Sequence, residues 1–174
     1  SSGRIFLSAK NVKPFKFMPE NHKFINEETY QKIITNSKPE INDILITRVG
    51  AGIGETALID KEIDFAFYVS LTLVKPISLI DSKFLVNWLN SPKGIQTAIS
   101  FTSGNGSNQG NLNVGRVRNF VIPLPPISEQ KEIVKKVETL MQNCQQLEQE
   151  IKTSEANAQM LMQAVLKESF EGGE

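Results

Sequence analysis

The stretch from Ser128 to Phe170 limits the fold more than any other part of this chain. Ile133, Val137, Leu140, Cys144, Leu147, Ile151, Ala158, Leu161 and Val165 follow one another at alternating steps of four and three, with Ser154 the one polar residue on the seam. That is the spacing of a helix slightly under-wound to lie against a partner. No Pro or Gly falls between Pro126 and Gly172, so nothing favours a break inside it. At ~1.5 Å per residue the span from Ile133 to Val165 is on the order of 50 Å, longer than a small domain is wide. The alternative is a core helix folded on its own domain. The preceding 128 residues have their own core to fill, however, so the seam reads as a spacer and pairing device.

The ends of the helix are marked as well. Pro125 and Pro126 bar helix upstream, Ser128 is expected to cap the free amides, and Glu129 and Glu132 suit the positive end of the dipole. Gly172 and Gly173 are expected to stop it. The chain of 174 residues then has room for one ordinary domain plus this helix, and 40% apolar with 22% charged residues is a globular composition. No apolar run is long enough to span a bilayer, and Ser1-Ser2-Gly3 has no leader pattern and reads as a remnant foreign to the natural chain, which leaves two readings, a piece of a longer chain or a half-length one. One cysteine, Cys144, excludes an internal disulfide and is read as a small core residue on the seam, consistent with a reducing cytoplasm.

A net charge of zero hides an asymmetry. Residues 1–128 carry 14 Lys or Arg against 10 Asp or Glu, whereas residues 129–174 carry 5 against 9. The part before the helix is the one suited to a polyanion. Its first stretch, Arg4 to Lys23, holds five basic residues and one acidic one among Phe6, Phe15 and Phe17, with Phe24 next. Lysines beside aromatics can hold phosphates and stack on bases, but the phenylalanines are expected in the core. His22, the single histidine, excludes a histidine cluster or triad and is expected at the surface.

Further along, Asn26 to Tyr30 reads as a capped helical turn and Ile44 to Thr47 as a buried strand. Gly50, Gly52 and Gly54 follow that strand, but without Gly-Lys-Ser/Thr and with a second strand after them, so they read as a turn and not a phosphate loop. Phe65 to Val74 alternates and is expected to be one strand. Asp81 to Asn90 has helical spacing, and Ser91-Pro92 opens a second helix. The run from Ser103 to Asn111 is small and polar throughout, a loop whose Asn and Gln side chains are of the type that reads base edges. Phe120 to Ile122 is expected to form a short strand before the stiff Pro123-Leu124-Pro125-Pro126 exit. No nucleophile motif, metal-ligand cluster or nuclease constellation stands out, so no catalytic residue, cofactor or metal is expected.

Several of these pieces, in this order, resemble the specificity (S) subunits of type I restriction-modification systems. They are Asn42-Asp43-Ile44-Leu45-Ile46-Thr47-Arg48 with Gly50 and Ile53-Gly54 after it, Leu89-Asn90-Ser91, Gly104 to Leu112, Val121 to Gln130 leading to Ile133-Val134, and Leu166 to Gly172. The resemblance implies an α+β fold: a target recognition domain over residues 1–126 that reads half of a split DNA sequence, and a dimerisation or spacer helix over 127–172. It implies that the helix packs antiparallel against a second one, in a second copy or a second half. The implied partners are double-stranded DNA, methyltransferase subunits and, through the complex, a restriction subunit, with no membrane. This chain holds one such half. From residue chemistry on exposed loops, Lys10, Lys13, Lys16, Arg48, Arg116 and Arg118 are expected to position the DNA backbone, with a structural role the alternative for Arg48. Asn105, Asn108, Gln109, Asn111 and Asn113 are expected to read bases. The rival class is a coiled-coil interaction module that binds no DNA; a self-contained nuclease would need clustered carboxylates.

Overall fold

The run Ile44 to Thr47 has no polar alternation because it is covered on both faces. In the computed structural model, which describes residues 3–103 and 110–171, it is the central strand of an antiparallel sheet, between Thr56–Leu58 and Leu71–Val74. Its side chains divide by parity. Leu45 joins Leu7, Val12, Phe17, Ala57, Phe65 and Leu71 in one core, while Ile44 and Ile46 join Leu85, Val86, Leu89, Ala98 and Leu112 in another.

In chain order the strands are β1 (Arg4–Leu7), β2 (Val12–Lys13), β3 (Lys16–Phe17), β4 (Lys23–Ile25), β5 (Ile44–Thr47), β6 (Thr56–Leu58), β7 (Phe65–Phe67), β8 (Leu71–Val74), β9 (Thr102–Ser103) and β10 (Asn111–Leu112). The helices are α1 (Glu27–Ile34), α2 (Ser82–Leu89), α3 (Pro92–Ser100), the single turn α4 (Val114–Val117) and α5 (Ile127–Glu171). β1 lies between β4, antiparallel, and β7, parallel. The expected single strand from Phe65 to Val74 is therefore two strands in two sheets. The chain turns at Tyr68, whose carbonyl accepts from Leu71 N at 2.9 Å, and residue alternation on both sides concealed the change of sheet.

The local starts and stops follow the side chains. Asn26, Asp81 and Ser91 accept from Thr29 N, Phe84 N and Gly94 N to cap α1, α2 and α3. Asn90, between α2 and α3, donates Nδ2 to Thr56 O at 2.8 Å and accepts from Thr56 N at 3.1 Å, fixing the helical pair on the sheet. Gly54, at φ +88°, closes the turn between β5 and β6, and a Cβ there would stand 2.9 Å from that of Ala98. At the foot of β5, Lys75 binds Asp43 and Glu40, each at 2.7 Å. The hydrogen bond from Lys75 holds the Glu40 carboxyl below the usual carboxylate range.

Four more expectations change. Of the four early phenylalanines, Phe17 is buried, Phe6 is half-buried, and Phe15 and Phe24 are exposed. The single histidine is half-buried, with Nδ1 2.7 Å from Pro19 O and its ring edge-on to Phe24. Residues 120–122 form no strand: Phe120 and Ile122 pack on the second core, but Val121 points out and the prolines that follow offer no N–H for pairing. Finally, α5 starts at Ile127, so Ser128 lies inside its first turn and Pro126 O receives Gln130 N at 3.0 Å. The stop at Gly172 and Gly173 lies outside the described residues.

Gln130 anchors the helix start. It is fully buried, accepts from Asp81 N at 2.8 Å, and donates Nε2 to Leu79 O at 3.0 Å and Pro125 O at 2.8 Å. By internal contacts the chain divides into Ser1–Val134 and Lys135–Glu174. The described residues of the second unit are all in α5, and its seam residues Leu140, Leu147, Ile151, Leu161 and Val165 are each more than half exposed. Cys144, expected as a small core residue, is exposed too in the single chain.

Candidate nucleic-acid interface

Arg48 ends the central strand and reaches sideways. Its Nε donates to Leu112 O at 2.9 Å, its own carbonyl receives Leu112 N at 2.9 Å, and its guanidinium lies 3.4 Å from Asn111 Oδ1. Arg116, in α4, donates Nη1 to Phe101 O at 2.9 Å. β9 and β10 pair through Leu112 with Thr102 and Asn111 with Ser103. Both arginines thus clasp the base of the polar loop, Arg48 on β10 and Arg116 on Phe101 just ahead of β9. The loop's Asn105, Asn108 and Gln109 lie outside the described residues.

The remaining candidates divide. Asn111 is exposed beside Arg48. Asn113 is exposed but caps α4, accepting from Gly115 N at 2.8 Å, so its carbonyl is occupied locally and its amide nitrogen is the group left to read a base. Arg118 is exposed one residue beyond α4. Lys10 and Lys16 are exposed, and Lys13 pairs with Glu55 at 3.2 Å.

That ion pair connects the early lysines to the loop. Glu55 follows the glycine turn, and Ile53 in the turn abuts Gly110, where a Cβ would come within 3.1 Å of the Ile53 side chain. The β2–β3 hairpin, the glycine turn and the loop base are therefore in sequence along one edge of the domain. At the hairpin tip Phe15 holds φ at +64°, a conformation that favours glycine, with its N–H on Thr56 O at 3.0 Å and its ring 41% exposed. Sequence reasoning assigned Phe15 to the core. The Pro14-Phe15 pair between Lys13 and Lys16 was the available signal, since proline favours the turn position before a residue of positive φ. On the other side of Arg48 lies a cleft of about 560 Å³, bordered by Phe6, Tyr68, Val69 and Val114.

This edge offers cations for phosphates and amides for base edges. Among the described residues no group of three or more His, Cys, Asp or Glu could hold a metal ion. Nor is any described helix long and apolar enough to cross a membrane.

Residues 4–154 match the family described as type I restriction modification DNA specificity domain. The chain belongs to that family. A curated relative, the EcoBI specificity subunit of a type I restriction enzyme from Escherichia coli, is 34% identical over 137 residues, which are 78% of this chain and 28% of the relative. This specificity domain also shares its fold with solved chains. One is the HsdS subunit from Thermoanaerobacter tengcongensis, with a TM-score of 0.67 at 19% identity, covering 97% of this chain and 43% of the other. Another comes from work on complex assembly and conformational transition of the type I R-M system, with a TM-score of 0.67 at 20% identity, covering 98% of this chain and 39% of that one. The chain thus spans well under half of each. The α+β architecture, mixed sheets followed by one long helix, is that of the family.

Proposed function

We propose that this specificity domain reads one half of a bipartite duplex DNA sequence for a type I restriction-modification complex, and catalyses nothing itself. The head, residues 1–126 up to the proline exit, is the reader. Lys10, Lys13, Lys16 and Arg118 hold phosphates. Arg48 and Arg116 do so from positions that also brace the loop. Asn111 and Asn113, with Asn105, Asn108 and Gln109, supply the base contacts. The helix over 127–172 pairs antiparallel with a second helix and sets the distance between two heads. Methyltransferase subunits dock on the assembly, a restriction subunit joins through the complex, and the protein works in the cytoplasm with no cofactor of its own.

The observation that carries this reading is the edge where two arginines clasp the base of an Asn- and Gln-rich loop, in a chain of this family. Reconstitution with adenine methyltransferase subunits, followed by mapping of methylated bases, tests it. The expected product is a bipartite site, in which each half-site read by a substituted head is altered when Asn108 or Gln109 is replaced. Methylation independent of sequence, or half-sites indifferent to every loop substitution, would refute the reading.

A further inference from the structure

The seam of α5 carries enough information to set the register of its pair. Its weak places are Ser154 and Ala158, one step apart, with Cys144 the other small residue. A parallel pair of identical helices would stack serine on serine and alanine on alanine in adjacent layers, leaving a gap in the middle of the interface. An antiparallel pair places each opposite a different residue, so no layer holds two serines or two alanines.

Three antiparallel registers one heptad apart bring seam against seam. If the axis of symmetry lies one half-heptad nearer the head, Ser154 faces Val137, Leu161 meets Gln130, which is buried in the head, and Val165 meets Pro126, which lies ahead of the helix. If it lies as far the other way, Ser154 faces Ile151, and Ile133 and Val137 look toward the end of the partner helix at Glu171. With the axis level with Gln149, all ten seam positions are matched, from Ile133 against Val165 at the ends to Leu147 against Ile151 at the centre. In that register the single serine meets Cys144, so the two small side chains share one layer.

We propose that two copies of this chain pair antiparallel in this register, crossing at Gln149. The inference rests on the pairing reading above and adds its alignment. It has an electrostatic consequence. Glu148 and Glu150 flank the central layer, where an antiparallel two-fold brings each beside its own counterpart. The seam is thus matched in shape while four carboxylates oppose it in charge, so the self-pair tightens as salt is added. Protein–DNA contacts do the opposite.

Oxidative crosslinking of the full chain reads the register through its one cysteine. In the proposed pair the two Cys144 residues are ten residues apart along the helices, about 15 Å, too far for a disulfide. Ser154→Cys should therefore give a covalent dimer through Cys144 and residue 154 of the other copy, and the unmodified chain should give none. A covalent dimer of the unmodified chain, or one formed by Leu147→Cys or Leu161→Cys in place of Ser154→Cys, overturns the register while leaving pairing intact. Sedimentation separates the two failures, because a chain that stays monomeric at every concentration and salt overturns the pairing itself. The expected dissociation constant of the unmodified pair falls several-fold between low and high salt, and a rise would remove the glutamates from the crossing.

Discussion

Replacing Gln130 should loosen the head, although the residue belongs to the long helix. Its amide satisfies Asp81 N, Leu79 O and Pro125 O, and no part of it reaches solvent. Gln130→Ala leaves all three backbone groups without a partner, at ~1–3 kcal/mol for each buried polar group so stranded. Water entering the space left by the side chain recovers part of this, so a net loss of about 3 kcal/mol is expected, a large share of the ~5–15 kcal/mol available to a domain. With a urea dependence of about 2 kcal/mol/M, the midpoint should fall by roughly 1.5 M. Trp88, the single tryptophan, sits half-buried in α2 and reports the head's unfolding by fluorescence. Gln130→Glu sharpens the test, because a carboxylate can accept from Asp81 N but cannot donate to the two carbonyls. A loss below ~0.5 kcal/mol for Gln130→Ala, no larger than for the exposed neighbour Glu129→Ala, would refute the anchoring argument.

Four further outcomes follow from the same geometry. Leu140→Glu with Leu147→Glu should give a monomer by sedimentation, because two charges then enter the seam of each helix. Arg118→Ala should flatten the slope of log affinity against log salt by ~1 at unchanged base preference, whereas Asn108→Ala or Gln109→Ala should relax base preference at unchanged slope; identical behaviour of the two classes removes the loop from the reader. Phe15→Asn keeps a residue tolerant of positive φ and removes the exposed ring, so it should preserve the urea midpoint while weakening DNA binding, and unchanged binding makes the hairpin tip a bystander. One heptad inserted after Ile151 lengthens each helix by about 10 Å, so methylated half-sites should move apart by roughly 3 base pairs of ~3.4 Å each, and an active complex with the original spacing shows that the helix measures nothing.

The helix was legible because its signal repeats: nine apolar residues at one spacing leave little room for another structure. Ile44 to Thr47 was legible for a related reason, as a short apolar run bounded by turn residues. What the sequence concealed was pairing. Residues 65–74 alternate on both sides of Tyr68, and period two has no mark for a change of sheet. Residues 120–122 are aromatic or branched as in a strand, but a strand also needs a neighbour with free backbone groups, which no local pattern announces. Phe15 and Phe24 were assigned inward because aromatics are costly to expose, and the tertiary structure leaves them out. Gln130 was read only as part of a family-like junction, since nothing local distinguishes a glutamine that binds three backbone groups from one in solvent.

Arg48 shows why the interface was harder to read than the fold. Its residue type and its place after a strand suggested a phosphate contact, and the side chain instead spends Nε on Leu112 O, with the guanidinium directed toward Asn111. An arginine carries five donors in a fixed fork, so bracing the loop base leaves others for DNA. Both roles then act at one place: the same group that sets where β10 lies also brings positive charge to it. The division between residues that hold the backbone and residues that read bases therefore breaks down at Arg48 and Arg116. Loss of either should move the loop as well as remove a cation, and so alter base preference along with the salt slope. The exposed Arg118, with no such bond to the loop base among the described residues, is the cleaner probe of charge alone.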